Sequence, residues 1–249
     1  MRNIFQKVTK KLNTIIQYPE LIPTIFNKVN RGFCKDLLLI KKELGFNFNT
    51  IIDVGAAVGE YSKAAHFIFP NAKIYALEPI ADSFEKLESV ASEIKNMQCF
   101  NLALSDEEGE AEFHLNKFSF TSSLFKMTDT HKEMFPFTKN ETTVKVKTSK
   151  IDNVLKNVGL GGALLKMDVQ GAELTVLKGA TNLLKEIDVI QLEVSFLNFY
   201  EGQPSVEDLI TFLRSFGFNA FLQVSPIFDK DKLLYSDFIF MRNNFSSII

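Results

Sequence analysis

"IIDVGAAVGEYSKAA", residues 51–65, joins the end of an apolar strand to two spaced glycines and the start of a helical pattern. A glycine turn between a strand and a helix commonly contacts a nucleotide or nucleoside. A phosphate-binding P-loop would continue from its second glycine into Lys and Ser or Thr, whereas Glu60 and Tyr61 follow Gly59 here. The stretch therefore predicts an adenosine-type site other than a P-loop.

The glycine spacing distinguishes between two adenosine cofactors. A dinucleotide-binding turn reads G-x-G-x-x-G, and its middle glycine lets the backbone approach a pyrophosphate; here the pattern is D-x-G-x-x-x-G, from Asp53 through Gly55 to Gly59. Glu60 would also repel a phosphate at the start of its helix. S-adenosylmethionine carries a sulfonium and an ammonium. Asp53 could hold the ammonium directly or through water. The pattern favours S-adenosylmethionine over NAD, the alternative being a purely structural turn.

The next strand ends in "ALEP", residues 76–79, and places Glu78 at its carboxyl end. An acid here accepts hydrogen bonds from ribose hydroxyls in both kinds of site, so it supports an adenosine ligand without choosing between them. We expect the adenine near Leu104, with Ser105 or Asp106 as a polar contact, unless that pair only forms a turn. The complete set of predicted cofactor contacts is Asp53, Gly55, Ala56, Gly59, Tyr61, Glu78, Pro79, Leu104, Ser105 and Asp168.

Composition limits the functions that the chain can have. Its 249 residues suffice for one large α/β domain, and a net charge of -2 argues against a nucleic-acid partner. Cys34 and Cys99 have neither metal-ligand nor disulfide spacing, and no apolar run approaches the roughly 18 residues of a membrane span. We expect a cytoplasmic protein. The 25 Phe residues, with no Trp, indicate core filling rather than a sugar-stacking platform.

Strand and helix patterns alternate from about residue 49, which predicts an α/β, Rossmann-like domain with a mostly parallel sheet and a C-terminal hairpin. Between 109 and 147 the period changes to two, so that 110–115 and 142–148 indicate antiparallel strands around a loop-like insert. The predicted helices cover 60–69, 81–95, 172–184 and 206–216, and the predicted strands cover 49–54, 72–78, 97–104, 161–169, 187–194, 219–224 and 233–242.

The first residues have a different pattern, and we assign 1–45 to an N-terminal helical arm and 46–249 to the main domain. Apolar side chains from Ile4 to Ile16 share one helical face, basic side chains lie elsewhere, and Pro19 and Pro23 end the helix. Such a helix packs on its own domain or a second subunit, which makes a homodimer plausible. It can also lie on a membrane surface or bind a partner protein.

"LLKMDVQGAELTVLKGA", residues 164–180, is the most specific stretch of the chain. Its apolar strand carries Asp168 to the carboxyl edge of the sheet, and a turn through Gly171 starts a helix with Glu173 in its first turn. Ligands of open α/β sheets bind at that edge. Asp168 and Glu173 are therefore expected beside the ligand of the glycine turn. In the alternative interpretation, Glu173 complements the helix dipole and Asp168 caps the turn.

Six stretches of the sequence carry a family resemblance: "DVGAAVGEYS", "ALEP", "NLALSDEEGEAEF", "TSSL", "KMDVQGAELTVLKGA" and "IQLEVS". In these stretches, which lie within about 49–241, the sequence resembles the FkbM family of S-adenosylmethionine-dependent methyltransferases. The resemblance implies a class I methyltransferase fold, a seven-stranded sheet with one antiparallel strand, and O-methylation of a hydroxyl. The acceptors that it implies are sugars of polysaccharides, glycoconjugates or glycosylated natural products. One departure is Gln170, where the family more often has Glu.

Methyl transfer to a hydroxyl also needs a group that takes the acceptor proton. The candidates are Asp168, Glu173, Glu193, His114 and His131, and we predict Asp168 with Glu173 as the catalytic pair, with His114 structural. Asp168, Glu173 and Glu193 could instead hold Mg²⁺, but no dedicated metal motif is present and no metal is predicted. The predicted substrate contacts are Ser122, Ser123, His131 and Glu193, in part on a covering loop with Phe118, Phe120 and Phe125.

Three functions follow as hypotheses. The first is O-methyl transfer from S-adenosylmethionine to a hydroxyl of a sugar, polysaccharide or glycoconjugate. The second is an NAD-dependent oxidoreductase, which the glycine spacing disfavours. The third is a non-catalytic protein that binds S-adenosylmethionine and contacts a glycosyltransferase through the basic N-terminal helix.

Overall fold

The computed structural model describes residues 17–25, 27–116 and 121–242. In that part of the chain the α-helices are α1 (Arg31–Lys42), α2 (Glu60–Ile68), α3 (Ala81–Glu93), α4 (Asp129–Met134), α5 (Ile151–Val154), α6 (Glu173–Lys178) and α7 (Val206–Ser215). The strands are β1 (Thr50–Val54), β2 (Lys73–Leu77), β3 (Met97–Phe100), β4 (Ala103–Leu104), β5 (Gly109–Asn116), β6 (Glu141–Ser149), β7 (Ala163–Met167), β8 (Ile187–Ser195), β9 (Phe218–Asp229) and β10 (Lys232–Arg242). Short 3-10 helices cover Pro19–Ile25, Pro136–Thr138 and Leu183–Lys185.

The main sheet has seven strands in the order β3-β2-β1-β7-β8-β10-β9. All neighbouring pairs are parallel except those of β10, which runs antiparallel to both β8 and β9. This confirms the predicted class I methyltransferase sheet with one antiparallel strand. Strand order reverses between β1 and β7, so the loops that leave their carboxyl ends diverge and open a ligand crevice there.

Helices cover both faces of the sheet, because alternate residues of each buried strand face opposite layers. Ile52 of β1 packs in one core with residues of α6 and α7, whereas Ile51 packs in a second core with residues of α1 and α2. Asp53 follows the parity of Ile51, which directs it toward the second core. This alternation decides where the polar residues of the strand ends lie.

The described N-terminal residues pack against the main domain. Leu37 and Ile40 of α1 are fully buried, in the same core as Ile51 and Leu164 of the sheet, and the Asn30 side chain caps α1 by accepting from Gly32 N. The predicted amphipathic helix at 4–16 lies outside the described residues. In the described ranges the model contains no helix with the length and apolar character of a membrane span.

Two of the differences from the predicted boundaries have a clear structural cause. The predicted strand 97–104 divides into β3 and β4, because the Asn101 side chain turns to donate to the carbonyl oxygens of Glu78 and Pro79. The predicted helix 172–184 ends at Lys178. A Cβ at Gly179 would lie 2.1 Å from the Ser105 carbonyl oxygen, so this glycine permits a close approach of two backbones.

The predicted antiparallel pair is confirmed, but it lies outside the main sheet. β5 and β6 pair antiparallel over their full lengths, and β4 adds to β6 to form a separate three-stranded sheet. An isolated bridge between His114 and Ser123 attaches the following loop to β5. This small sheet forms part of the wall of the strand-end cleft described next.

Candidate active site

A cleft of about 620 Å³, including its open mouth, lies at the carboxyl ends of β1, β2 and β7. Of the predicted cofactor contacts, Gly55, Glu78, Pro79, Leu104 and Asp168 line this cleft. Its further lining residues are Val54, Ala57, Leu77, Ile80, Leu102, Ala103, Phe113, Ser122, Leu124, Val169, Gln170 and Ala172. The cleft thus lies where strand order reverses, at the edge of the sheet where the sequence predicts the ligand.

Gly55 brings the loop after β1 against the loop after β7. It has a φ of +72°, and a Cβ at this position would lie only 1.9 Å from the carbonyl oxygen of Asp168. Both its conformation and this contact therefore require glycine. The close approach fixes Asp168 beside the glycine turn.

Glu78 forms the polar wall of the cleft. Its Oε2 accepts from Ala57 N and its Oε1 from Ile80 N, each at 2.9 Å, so the carboxylate is held at the end of β2. Burial raises its pKa to about 7, against the opposing effect of these two N–H donors. A carboxylate fixed in this way has lone pairs left to accept from two hydroxyls of a ribose.

The opposite part of the cleft is apolar. Leu104 and Pro79, both predicted contacts, lie there with Ile80, Phe113 and Leu124. An apolar slot next to a fixed carboxylate suits an adenosine, whose base is planar and whose ribose carries hydroxyl donors. The residues present therefore fit S-adenosylmethionine.

A second cavity, of about 670 Å³ with its mouth, adjoins the cleft and shares Asp168 and Gln170 with it. We call it the aromatic chamber. Six aromatic or imidazole rings in edge or tilted contact surround its acidic floor. Its lining residues are Thr121, His131, Phe135, Phe137, Asp168, Gln170, Glu193, Phe199, Tyr200 and Tyr235.

Gln170 links the acids at the chamber floor. Its amide Nε2 donates to Asp168 Oδ1 at 2.6 Å and to Glu193 Oε1 at 3.1 Å, and its Oε1 accepts from the Tyr200 hydroxyl at 2.8 Å. The backbone of Gln170 is in the left-handed region, with φ of 55°, and its carbonyl accepts from Ser123 Oγ at 2.7 Å. The amide is thus fixed with both of its N–H groups directed at carboxylates.

Glu193 stands at the end of β8, paired in register with Asp237 on β10. Burial, together with the negative charges of Asp168, Asp237 and Glu173, holds the pKa of Glu193 well above its usual value. The pKa of Asp237 rises to about 6, mainly through burial. Burial and the neighbouring negative charges therefore favour the protonated forms of Glu193 and Asp237.

Glu173, one of the predicted catalytic pair, lies outside the lining of both cavities. It is only 4% exposed, and its Oε1 accepts from Val169 N and Gly171 N in the turn before α6. Burial raises its pKa to about 7. Glu173 thus closes its own turn, close to the structural alternative, whereas Asp168 lines both cavities and caps no backbone group.

Asp53 and Tyr61 are also displaced from the predicted cofactor contacts. Asp53 is fully buried, with its Oδ1 3.2 Å from Lys166 Nζ and its Oδ2 accepting from Ser62 Oγ. The Tyr61 hydroxyl donates to Gln191 Oε1 behind the sheet edge, and Lys166 Nζ lies over its ring. Both residues belong to a polar row beneath the cleft, because strand parity directs Asp53 toward α1 and α2, and Tyr61 is itself part of α2.

Three further predicted contacts lie beside the cleft rather than in it. Gly59, with φ of +83°, packs where a Cβ would meet Leu87 at 3.0 Å, so it serves the approach of α2 to α3. Ala56 is buried against the same helix. Ser105 Oγ bonds within its own turn, to Asp106 and Glu107 N, which agrees with the turn alternative.

The predicted substrate residues fall in three places. His131 and Glu193 line the chamber, Ser122 lines the cleft, and Ser123 is buried beneath them, holding the Gln170 backbone. Burial lowers the pKa of His131, whose Nδ1 lies 3.2 Å from Thr138 Oγ1. Phe118 and Phe120 lie outside the described residues, and Phe125 packs behind the chamber.

The chamber aromatics were missed by the sequence interpretation. Tyr200 and Tyr235 follow or face the carboxyl end of β8, a location that strand order alone would mark as the ligand edge. Phe135 and Phe137 lie in the insert, where no periodicity separates site from core, and Phe137 is 56% exposed. The general interpretation of Phe as core filling is wrong for this residue.

Among the described residues, no group of three or more His, Cys, Asp or Glu is arranged to hold a metal ion.

Comparisons with known proteins agree with this geometry. Residues 53–220, more than half of the chain, match the family described as the Methyltransferase FkbM domain. The chain is 25% identical over 174 residues to the 2-O-methyltransferase NoeI of Sinorhizobium fredii, covering 67% of this chain and 71% of NoeI. It is also 25% identical over 162 residues to the hexuronic acid methyltransferase AglP of Haloferax volcanii, covering 64% of this chain and 62% of AglP.

The crystal structure of methyltransferase FkbM from Methylobacillus flagellatus KT matches with a TM-score of 0.53 at 14% identity, over 88% of this chain. This likeness shows the fold. The chain spans half of that solved chain and less than two thirds of AglP. Together with the family match, these findings overturn the alternative hypothesis of an NAD-dependent oxidoreductase. The chain belongs to the FkbM family of methyltransferases, and its methyl donor is S-adenosylmethionine, the cofactor that the glycine spacing predicts.

Proposed function

We propose that this chain transfers the methyl group of S-adenosylmethionine to a hydroxyl of a sugar, in a polysaccharide or glycoconjugate. The observation that carries the proposal is the position of Asp168, on the wall common to the cleft and the aromatic chamber. A donor in the cleft and an acceptor in the chamber would meet at this carboxylate.

The cofactor would be held by the lining residues of the cleft. Glu78 would accept from the ribose hydroxyls, the apolar side chains around Leu104 would enclose the adenine, and Gly55 would let the chain pass close beside the ligand. When bound, the cofactor supplies an activated methyl group on a sulfonium, which leaves as a neutral thioether.

The remaining chemistry falls to the chain's own residues. Asp168 would accept the proton of the acceptor hydroxyl as its oxygen gains the methyl group, so that the hydroxyl O–H bond breaks as the new O–C bond forms. Gln170 would keep Asp168 oriented, and the chamber would hold the acceptor in line with the methyl group. Glu193 would bind a second hydroxyl of the acceptor.

Sugar as the acceptor class has two supports. The relatives NoeI and AglP are named as a 2-O-methyltransferase and a hexuronic acid methyltransferase. The chamber combines aromatic rings, on which the C–H face of a pyranose can pack, with carboxylates that accept from hydroxyls. Both features suit a polyhydroxylated ring.

The division of the chain remains part of the proposal. Taking 46–249 as the methyltransferase domain agrees with the family match from residue 53, whereas 1–45 would contribute α1 to the core and an arm before it. Self-association or membrane contact through that arm stays a prediction.

The proposal is tested by measuring S-adenosylhomocysteine formation with a panel of aryl glycosides, using the wild type and Asp168→Asn. We expect kcat to fall by about 10²–10⁴-fold in the variant, the usual contribution of a general base, while the affinity for S-adenosylmethionine changes little. Asp231→Asn, in the exposed β9–β10 turn, is the matched control.

Two results would contradict the proposal. Full activity of Asp168→Asn would remove the assigned base. Tight binding of S-adenosylmethionine without turnover on any glycoside would favour the non-catalytic alternative.

A further inference from the structure

The chemistry of the chamber floor narrows the acceptor class, an inference that rests on the proposed function. We propose that the aromatic chamber selects an uncharged pyranose with adjacent hydroxyls, and that Glu193 excludes sugars bearing a carboxylate, such as uronic acids. The argument depends on which polar groups of the floor are already paired and which remain to meet a ligand.

The acids of the floor come from neighbouring strands. Asp168 follows β7, Glu193 lies near the end of β8, and Asp237 of β10 stands beside them as the register partner of Glu193. The negative charges of these acids also affect Tyr235. Burial is the main cause of its raised pKa, and the charges of Glu193 and Asp168 raise it further. Since burial and mutual repulsion already favour the protonated forms of Glu193 and Asp237, a ligand carboxylate placed here would either add negative charge or require a further proton. Both are unfavourable in a partly desolvated site.

The donors closest to the two acids are engaged with protein groups. Both N–H groups of the Gln170 amide point at Asp168 and Glu193, and the Tyr200 hydroxyl lies within hydrogen-bond distance of Gln170 Oε1 and the Thr121 carbonyl. A ligand placed against Asp168 and Glu193 therefore meets mainly their carboxyl oxygens. Such a surface pairs with hydroxyl donors, and a ligand carboxylate would need donors in its place.

The positive charge nearest in register is also paired. Lys166, directly beneath Asp168 on β7, lies 3.2 Å from Asp53 Oδ1 and is buried below the floor. His131 carries little positive charge at neutral pH, since burial lowers its pKa from 6.5. Neither side chain therefore offsets an added carboxylate at pH 7.

The geometry of the two carboxylates suits a vicinal diol. One amide nitrogen reaches both Asp168 Oδ1 and Glu193 Oε1, so these oxygens lie close enough for adjacent hydroxyls of one ring to address both residues. Above them, Phe135 and the exposed Phe137 stand at 67° to each other, with centroids 6.0 Å apart. Such rings can pack against the apolar face of a sugar.

Paired aryl glycosides that differ only at C6 provide the test. The 4-nitrophenyl glucoside, galactoside and mannoside are each compared with the corresponding uronide, and kcat/KM is measured from S-adenosylhomocysteine release. We expect the wild type to prefer the neutral member of an accepted pair by about tenfold or more. In Glu193→Gln, the new amide keeps an oxygen for Gln170 and offers a donor to the uronide, so the preference should narrow by about tenfold.

Controls separate charge from folding. Glu201→Gln, an exposed acid next to Tyr200 along the chain, should retain the wild-type preference. Thermal melting and S-adenosylmethionine titration establish that Glu193→Gln is folded. Asp237→Asn, which keeps the oxygen that Gln191 contacts, is a second variant and should narrow the preference less.

The outcomes are distinguishable. Equal or faster methylation of uronides by the wild type overturns the inference and leaves the proposed function intact. An unchanged preference in a folded Glu193→Gln variant overturns the role of Glu193. Absence of transfer to any glycoside, with S-adenosylmethionine bound, overturns the proposed function and the inference with it.

Discussion

The side-chain amide nitrogen of Gln170 lies 2.6 Å from Asp168 Oδ1 and donates a hydrogen bond to it. The same nitrogen reaches Glu193, and the Tyr200 hydroxyl fixes the other end of the amide. A neutral side chain with two donors thus stands between two acids at the junction of the cavities. Its amide donates to both neighbours without adding charge.

Replacing Gln170 by Glu should shift the pH dependence of catalysis. The substitution removes two donors and adds a third carboxyl, and both changes further stabilise the protonated form of Glu193, whose pKa burial already raises. The acidic cluster then becomes harder to ionise as a whole, so activity that requires an ionised general base is lost at a higher pH as the solution is acidified. We expect the acidic limb of the kcat profile to move up by about one pH unit or more.

Gln98→Glu, on exposed β3, is the matched control and should retain the wild-type profile. An unshifted acidic limb in folded Gln170→Glu would show that the amide does not govern the pH dependence of catalysis.

Replacing Glu78 should weaken cofactor binding. Loss of hydrogen bonds to a charged carboxylate costs about 1.5–3 kcal/mol, which corresponds to about 10- to 150-fold in Kd for Glu78→Ala. Since burial raises the Glu78 pKa to about 7, the ionised acceptor forms as the pH rises through neutrality. The wild-type affinity for S-adenosylmethionine should therefore increase from pH 6 to pH 8, and calorimetric titration measures it.

Glu78→Gln separates the effect of charge from that of shape, and its affinity should vary less with pH than that of the wild type. Glu85→Gln, on the exposed side of α3, should bind normally. Wild-type affinity in Glu78→Ala would remove this residue from the cofactor site.

Glu173 should make the stability of the fold depend on pH. Its pKa is about 7 when folded, above the ordinary value of 4.5, so the folded state holds its proton more tightly than the unfolded state does. Between about pH 4.5 and 7 this group lowers the free energy of unfolding as the pH rises, by at most about 1.4 kcal/mol per pH unit. Urea denaturation at several pH values measures this slope.

Glu173→Gln keeps the oxygen that accepts from Val169 N and Gly171 N, and should remove this contribution to the slope. Glu173→Ala leaves both N–H groups without that acceptor and should cost about 1–3 kcal/mol at all pH values. If Glu173 were instead part of the catalytic pair, the Gln variant would lose activity while remaining folded.

Gly55 and Gly45 form a natural comparison, because their φ values are +72° and +71°. A Cβ at Gly45 meets nothing within 4 Å, so Gly45→Ala should cost only the left-handed conformation, about 1–2 kcal/mol. Gly55→Ala adds a clash at 1.9 Å with the Asp168 carbonyl and should cost about 4 kcal/mol or more, or prevent folding. Equal losses in denaturant melts would contradict the close approach.

Much of the fold could be read from local sequence, and half of the residues predicted to contact the cofactor lie in the cleft. Strand and helix periodicities identify the α/β alternation, and the glycine spacing with "ALEP" marks strand ends that meet at one sheet edge. Gly55, Glu78 and Leu104 reach the cleft because each immediately follows or ends a strand of that edge. These residues reach the cleft because of where they stand in the chain relative to the strand ends, and this order can be read from the sequence.

The choice among the acids was decided by tertiary structure. Asp53, Asp168 and Glu173 all lie within the two motifs, yet only Asp168 lines the cavities. Asp53 faces the α1–α2 layer and pairs with Lys166, its register partner across the sheet, and Glu173 turns back onto its own loop. Motif spacing gives the order of residues, whereas strand pairing and backbone φ values set where each side chain points.

The aromatic chamber depends on residues far apart in the sequence. His131 and Phe135 come from the insert, Tyr200 from the loop after β8, and Tyr235 from β10. No local sequence pattern predicts that these residues come together, because an aromatic residue in a loop has the same local sequence signal whether it fills a core or lines a cavity. The sequence by itself determined the fold, the family and the cofactor, since these rest on periodicity and short motifs. Only the tertiary structure decided the aromatic chamber, the cavity that we propose for the acceptor, because long-range packing brings its walls together.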